Sequence, residues 1–227
     1  MIPSIQKTYD VAGASAARNK VLRNTYWLLA LSMVPTVIGA AIGVAYHLTL
    51  LRGGMGFLVF MLAVFGFVAA IEKTKNSAAG VAVLLAFTFF MGLMLAPLLT
   101  YTLNFSNGPA LIAMAFGGTA CVFAVMASIA TVSKRDFSGM GSWLSVGVIV
   151  LIIAMVANIF LQLTALHLAI SVMVIGIFSA FILFNVQRIV NGGETNYITA
   201  TLSIYIDIYN IFTSLLSILG LTSGSRD

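Results

Sequence analysis

Residues 25–51 read TYWLLALSMVPTVIGAAIGVAYHLTLL, a stretch without Asp, Glu, Lys or Arg. A helix needs about 20 apolar residues to cross the roughly 30 Å hydrocarbon core of a bilayer, and this run exceeds that length. It is also too long for the core of a cleaved secretory leader, which spans about 7–15 apolar residues. The 24 residues before it hold Lys7, Arg18, Lys20 and Arg23 but no apolar core of their own. The segment is therefore read as a retained first transmembrane helix. Lipid offers no water to the backbone, so helical hydrogen bonding must satisfy its N–H and C=O groups.

Six further apolar runs follow: Gly54 to Ile71, Ala78 to Tyr101, Pro109 to Val132, Gly141 to Leu166, Leu168 to Val190 and Thr199 to Leu221. The boundary around Thr164 to Leu168 is the least distinct, and a re-entrant pair there leaves six spans. Hydrophobic residues make up 61% of the chain and charged residues 7%, with a mean hydropathy of +1.09. A soluble domain carries about 25% charged residues, so water cannot be the main solvent of this surface. The expectation is an all-α polytopic membrane protein of about seven transmembrane helices. Its parts are a cytoplasmic N-terminal tail (1–24), a membrane domain (25–221) and a short C-terminal tail (222–227), with the lipid bilayer as principal partner.

The net charge of +5 does not indicate nucleic acid, because the basic residues lie between apolar runs. Taken by alternate sides, Lys7, Arg18, Lys20, Arg23, Lys73, Lys75, Lys134, Arg135 and Arg188 fall on the N-terminal side, against Arg52 and Arg226 on the other. Cytoplasmic loops carry the Lys/Arg excess, which places the N-terminus in the cytoplasm and, with seven spans, the C-terminus outside. Trp27, Trp143 and Tyr197 then mark the inner boundary, and Tyr46 and Tyr101 the outer one.

Small residues at four-residue spacing, Gly39 with Gly43 and Ala113 with Gly117 and Cys121, are expected to let helix backbones approach closely. Pro35 and Pro97 fall inside spans and free backbone carbonyls. Cys121 is the only cysteine, which excludes an intramolecular disulfide or a cysteine-based metal cluster.

The last span is unlike the others. Thr199, Ser203, Asp207, Asn210, Ser214 and Ser217 are spaced four, four, three, four and three apart, so they share one helical face. Such a face avoids lipid and turns to the bundle interior or a wet crevice. Asp207 lies about two and a half turns in from the cytoplasmic end by helical rise. It is the only acidic residue well inside a span, and a carboxylate there is costly unless protonated, paired or wet. Asn185 and Arg188, one turn apart on the sixth span, can reach the same level because a short connection makes the last two helices antiparallel neighbours. Arg188 is the candidate cation for Asp207, or else an interfacial charge that snorkels to headgroups. Gly192 and Gly193 provide the helix stop and turn. Asn158 and Gln162 on the fifth span are read as interhelical hydrogen-bonding groups.

Enzymatic and metal readings find no constellation. An aspartyl hydrolase needs two carboxylates sharing a proton, and Asp207 stands alone. Ser142 and His167 lie at opposite ends of the fifth span, roughly 30 Å apart. His47 and His167 without a third ligand make a poor metal site. No cofactor is expected.

The run GGETNYITATLSIYIDIYNIFTSLLSILG, with MVANIFLQLTALHLAIS, NKVLRNTYWLLALS and IAMAFGGTA, resembles the transmembrane Bax inhibitor motif family, especially its proteobacterial YccA-type branch. The resemblance covers nearly the whole chain. It implies a bacterial inner-membrane protein in which six helices surround a central seventh. It further implies a pH-sensitive leak for calcium or other cations, with a carboxylate on each of the last two helices. Asp207 in SIYIDIYN matches the carboxylate of the last helix, while Asn185 in FNVQRIV stands where the family has Asp or Glu. An amide can hydrogen-bond but cannot form a like-charge pair, and calcium favours several carboxylates. With Arg188, Ser203 and Asn210, these residues form the expected ion pathway or pH gate. The branch implies a second role, as substrate and modulator of the membrane-anchored AAA protease FtsH through the polar tail from Met1 to Asn24.

Overall fold

The computed structural model describes residues 3–47, 54–133 and 135–224, with side chains described over 16–47, 58–133 and 135–223. Among these residues there are seven α-helices and no strand. They are α1 (Pro3–Ala45), α2 (Gly54–Thr74), α3 (Ala78–Leu103), α4 (Gly108–Val132), α5 (Met140–Leu161), α6 (Thr164–Val190) and α7 (Tyr197–Gly224). Six helical stretches among the described residues are long and apolar enough to cross a bilayer. The remaining helix, α2, is 21 residues long. The protein is an all-α polytopic membrane protein.

Several helix ends differ from the sequence reading. Residues 3–24, taken as a tail, continue the helix of the first span without a break, so α1 reaches 43 residues. The last helix continues past Leu221 to Gly224. The fifth span stops at Leu161 rather than Leu166, and a connection of Gln162 and Leu163 leads into α6. Gln162 takes a left-handed conformation (φ 52°) and its N–H bonds the Asn158 carbonyl at 2.8 Å. The Asn158 side chain accepts from the Leu163 N–H at 3.0 Å, so this residue closes its own helix end rather than joining two helices. Gly141 meets Phe184 and Gly147 meets Ile177, the register of two full-length antiparallel helices rather than a re-entrant pair.

The centre of the bundle is α7, which touches α1, α2, α3, α4 and α6. From Tyr197 to Leu221 every residue of α7 is buried or half-buried, and Ile204, Tyr205, Ile211 and Leu216 are at most 1% exposed. One helix departs from the expected ring of six: among the described residues α5 packs on α6 alone and leaves Trp143, Ile153 and Phe160 outward. In lipid such a face needs no cover, since apolar tails solvate it as well as another helix does.

Small residues set the tightest crossing, between α1 and α3. A Cβ on Gly39 would overlap the Phe89 carbonyl oxygen, and one on Gly92 would overlap the Thr36 carbonyl oxygen. One turn on, Gly43 sits against Leu93, whose carbonyl has lost its helical donor because Pro97 has no N–H. The second small stripe does not do this. Ala113, Gly117 and Cys121 are exposed, and a Cβ on Gly117 would meet nothing within 4 Å.

The connections bearing charge gather at one end of the bundle. The Asn196 side chain reaches from the α6–α7 turn to the Lys75 carbonyl at 2.9 Å, between α2 and α3. Buried Gln187 ties α6 to the α4–α5 connection, donating to the Arg135 carbonyl at 2.5 Å and accepting from the Phe137 N–H at 2.6 Å. Exposed Trp27 and Trp143 ring this end, while Tyr46 and Tyr101 are exposed at the other. Lys134, Arg52 and Arg226 lie outside the described residues.

Candidate functional site

The GGETN turn delivers α7 to the centre. Gly192 adopts φ 78°, a conformation open to glycine at no steric cost, and the N–H groups of Gly193 and Glu194 return to the Arg188 carbonyl at 2.8 and 3.1 Å. Asn196 then caps α7, its Oδ1 accepting from Ile198 and Thr199 N–H at 2.9 and 3.2 Å. Two anchors were not read from the sequence, Gln187 and Asn196. An Asx residue just ahead of an apolar helical run is the signal that could have found Asn196; nothing in FNVQRIV marks Gln187 as buried.

Inside the bundle, α7 is pinned by hydroxyls on its aromatic face. The Tyr205 hydroxyl stands 2.9 Å from Thr36 Oγ1 of α1 and 3.4 Å from the Thr88 carbonyl of α3. Thr36 Oγ1 also lies 2.9 Å from the Ser32 carbonyl, to which it can donate. Tyr209 reaches the Met91 carbonyl at 3.3 Å.

The polar face carries the acidic group. Asp207 is 4% exposed, and its Oδ2 accepts from the Asn185 Nδ2 of α6 at 2.8 Å. Asn185 is only half-buried, so the pair borders on less enclosed space. The expected cation is absent. Arg188 is turned toward the turn instead, with Nη2 3.4 Å from Glu194 Oε2 and its guanidinium 5.9 Å above the Phe184 ring centre. Its side chain is 43% exposed. Glu194 offers it a carboxylate at the polar boundary, where neither charge must be fully stripped of water. Among the described residues no cation lies within ion-pair distance of Asp207.

Two neighbours on this face are satisfied within the helix. Ser203 donates to the Thr199 carbonyl at 3.2 Å and Asn210 to the Ile206 carbonyl at 2.8 Å. Thr199 Oγ1 is a buried side-chain oxygen without a hydrogen-bond partner. At the far end Ser217 meets His167 Nε2 at 2.7 Å. Asp207 and Asn185 are thus brought together, Arg188 is kept apart, and Ser203 and Asn210 flank the pair one turn to either side.

A helix this polar at the axis of an apolar bundle defines a class: a polytopic membrane protein whose central span carries its only deep carboxyl group, since Asp207 is the sole acidic residue within a span. The chain belongs to the Bax inhibitor family, for the family model described as inhibitor of apoptosis-promoting Bax1 matches residues 18–224. It is 45% identical over 205 residues to an Escherichia coli (strain K12) protein named modulator of FtsH protease YccA, with 90% of this chain and 91% of that protein covered. An Escherichia coli O6:H1 relative at the same identity is named inner membrane protein YccA. A membrane protein of Vibrio cholerae is 43% identical over 213 residues, covering 91% of this chain and 92% of its own length.

Proposed function

We propose that the protein is a non-enzymatic modulator of a membrane-anchored FtsH-type protease in the bacterial inner membrane. The observation that carries this reading is the near full-length similarity to the Escherichia coli protein bearing that name. The fold supports it in physical terms. Residues 3–24 extend α1 beyond the apolar span as a continuous helix that a protease could grip. The span behind it is locked to α3 at Gly39 and Gly92, which resists extraction. In this reading the charged end of the bundle is cytoplasmic, following the basic excess there.

The test is turnover in cells. Removing residues 1–17 should lengthen the half-life of the protein and restore the normal degradation of other membrane clients of the protease. Equal half-lives with and without these residues, and client turnover indifferent to the protein, would refute the role.

A second reading, a cation leak responsive to pH, is favoured by one observation: Asp207 and Asn185 meet on the polar face of the central helix. A proton or cation arriving at the carboxyl competes with the amide hydrogen bond and loosens α6 from α7. One carboxylate suits a weak, poorly selective path rather than a high-affinity calcium site. Liposomes loaded with a calcium or proton indicator test it beside Asp207→Asn. Flux equal to that of empty liposomes at acidic and neutral pH sinks the leak.

A further inference from the structure

The charged end of the bundle holds a cavity away from Asp207, between the early part of α1 and the end of α6. It measures about 260 Å³ and is lined by Arg18, Asn19, Leu22, Val190 and Asn191. Arg18 is half-buried, whereas Lys20, Arg23, Lys73 and Arg135 are exposed. Among the described residues its guanidinium has no ion-pair or hydrogen-bond partner, while Lys75 and Arg188 at the same end have Glu72 and Glu194. The side-chain amides of Asn19 and Asn191 are also without protein partners among the described residues. The α6–α7 turn comes close under the Arg18 stem: a Cβ on Gly192 would stand 3.3 Å from Arg18 Cδ.

Among the described residues the lining thus holds a guanidinium and two exposed asparagines, all able to donate hydrogen bonds, and no carboxylate. We propose that this cavity binds a phosphate group. A guanidinium presents N–H pairs in a planar fork that matches two phosphate oxygens, and the amides of Asn19 and Asn191 donate to the others. The apolar lining favours a particular carrier. Leu22 is one turn further into the first span than Arg18, and Val190 precedes Asn191 on the membrane side of α6, so the cavity passes from charged to apolar toward the bilayer. A glycerophospholipid fits that gradient, with its phosphate on Arg18 and its glycerol end on Leu22 and Val190. Free phosphate shares the first contact but not the second.

Full-length protein in neutral detergent, titrated separately with phosphatidylglycerol and with inorganic phosphate and read by native mass spectrometry, tests the assignment. Phosphatidylglycerol binding should weaken about tenfold in Arg18→Gln and less in Arg18→Lys, which keeps the charge but loses the fork. Arg23→Gln, on an exposed residue outside the lining, should bind as the parent does. Arg18-dependent binding of inorganic phosphate without the lipid upholds the phosphate site and assigns it a soluble ligand. Equal binding by parent, Arg18→Gln and Arg18→Lys overturns the proposal. So does an equal loss in Arg23→Gln, which marks diffuse attraction to a basic surface. Thermal melting without ligand checks the fold of each variant, and if Arg18→Gln fails to fold, the Arg18→Lys comparison decides.

Discussion

Replacing Asn185 with Leu removes the hydrogen-bond donor to Asp207 while keeping the side chain close in size. Asp207 is 4% exposed and takes its side-chain hydrogen bond from Asn185 at 2.8 Å, with no cation among the described residues to compensate. An unmet buried polar group costs about 1–3 kcal/mol. Interhelical hydrogen bonds in a membrane bundle average about 0.6 kcal/mol, with a maximum near 1.7. Full burial and the lack of a second partner put this one at the upper end, so Asn185→Leu should cost about 1.5 kcal/mol. Asp207→Leu strands the amide instead and should cost about 1 kcal/mol, less because half-buried Asn185 can turn toward water. The double variant leaves neither group behind, so it should be more stable than the sum of the two losses predicts, by about 1 kcal/mol or more. Asp207→Asn retains an acceptor for Asn185 and should lose little. Reversible unfolding of all four variants in bicelles measures the cycle. Losses that add to within about 0.3 kcal/mol would show that the pair is not coupled and that the 2.8 Å contact carries no weight.

The α1–α3 crossing makes a sharper contrast: Gly92→Ala should destabilise by about 2 kcal/mol or more because the Thr36 backbone must move, whereas Gly117→Ala on outward α4 should stay within about 0.5 kcal/mol. The same unfolding assay reads both, and equal effects would contradict the crossing. Tyr205→Phe should cost only about 1 kcal/mol, since Thr36 keeps its Ser32 bond and is not orphaned; a loss above about 3 kcal/mol would mean the hydroxyl has a larger role. Gln187→Leu frees the Arg135 carbonyl and the Phe137 N–H, so trypsin should cut at Arg135 several-fold faster, and an unchanged rate would show that the clamp is dispensable. Asp136 lies in the connection outside the spans, where first the backbone N–H and then the side chain of Ser138 hold its carboxyl below the ordinary aspartate range. A depressed folded value means that its stabilising effect is complete above the unfolded value of about 4 and is lost as pH falls through the folded one. NMR titration should show that shift in the parent, and a midpoint at or above the ordinary aspartate value would refute it.

What the sequence made legible follows from which solvent each residue faces. Span positions were readable because lipid demands long unbroken apolar runs, and α2, α3, α4, α6 and α7 begin and end within a few residues of them. Inward and outward faces were not, because in lipid both are apolar: Gly39 and Gly117 belong to similar stripes, yet one lies at a helix crossing and the other meets nothing. On α7 polarity broke that symmetry, and Asn185 does stand opposite Asp207. Of the two readings of Arg188 the interfacial one holds, because helical spacing says which residues share a level but not where a long side chain points. Glu194, six residues on in the turn, offered a wetter partner than Asp207. That the tail is helical was not legible from composition, since helix propagation from a stable span costs far less than nucleating a new helix.

The geometry of α5 bears on how the two proposed roles relate. Five helices grip α7, but among the described residues α5 is held by α6 alone, and α6 also carries Asn185 to the carboxyl and Gln187 to the α4–α5 connection. A displacement of α6 would therefore break the Asp207 hydrogen bond, release the connection at Arg135 and carry α5 with it as one unit. The α1–α3 crossing is built from backbone contact at Gly39 and Gly92 and includes no residue of α6. The crossing that bears the N-terminal helical extension and the α6–α7 contact at Asp207 are thus separate places in one bundle. The proposed protease role rests on the first, and the proposed response to protons or cations rests on the second.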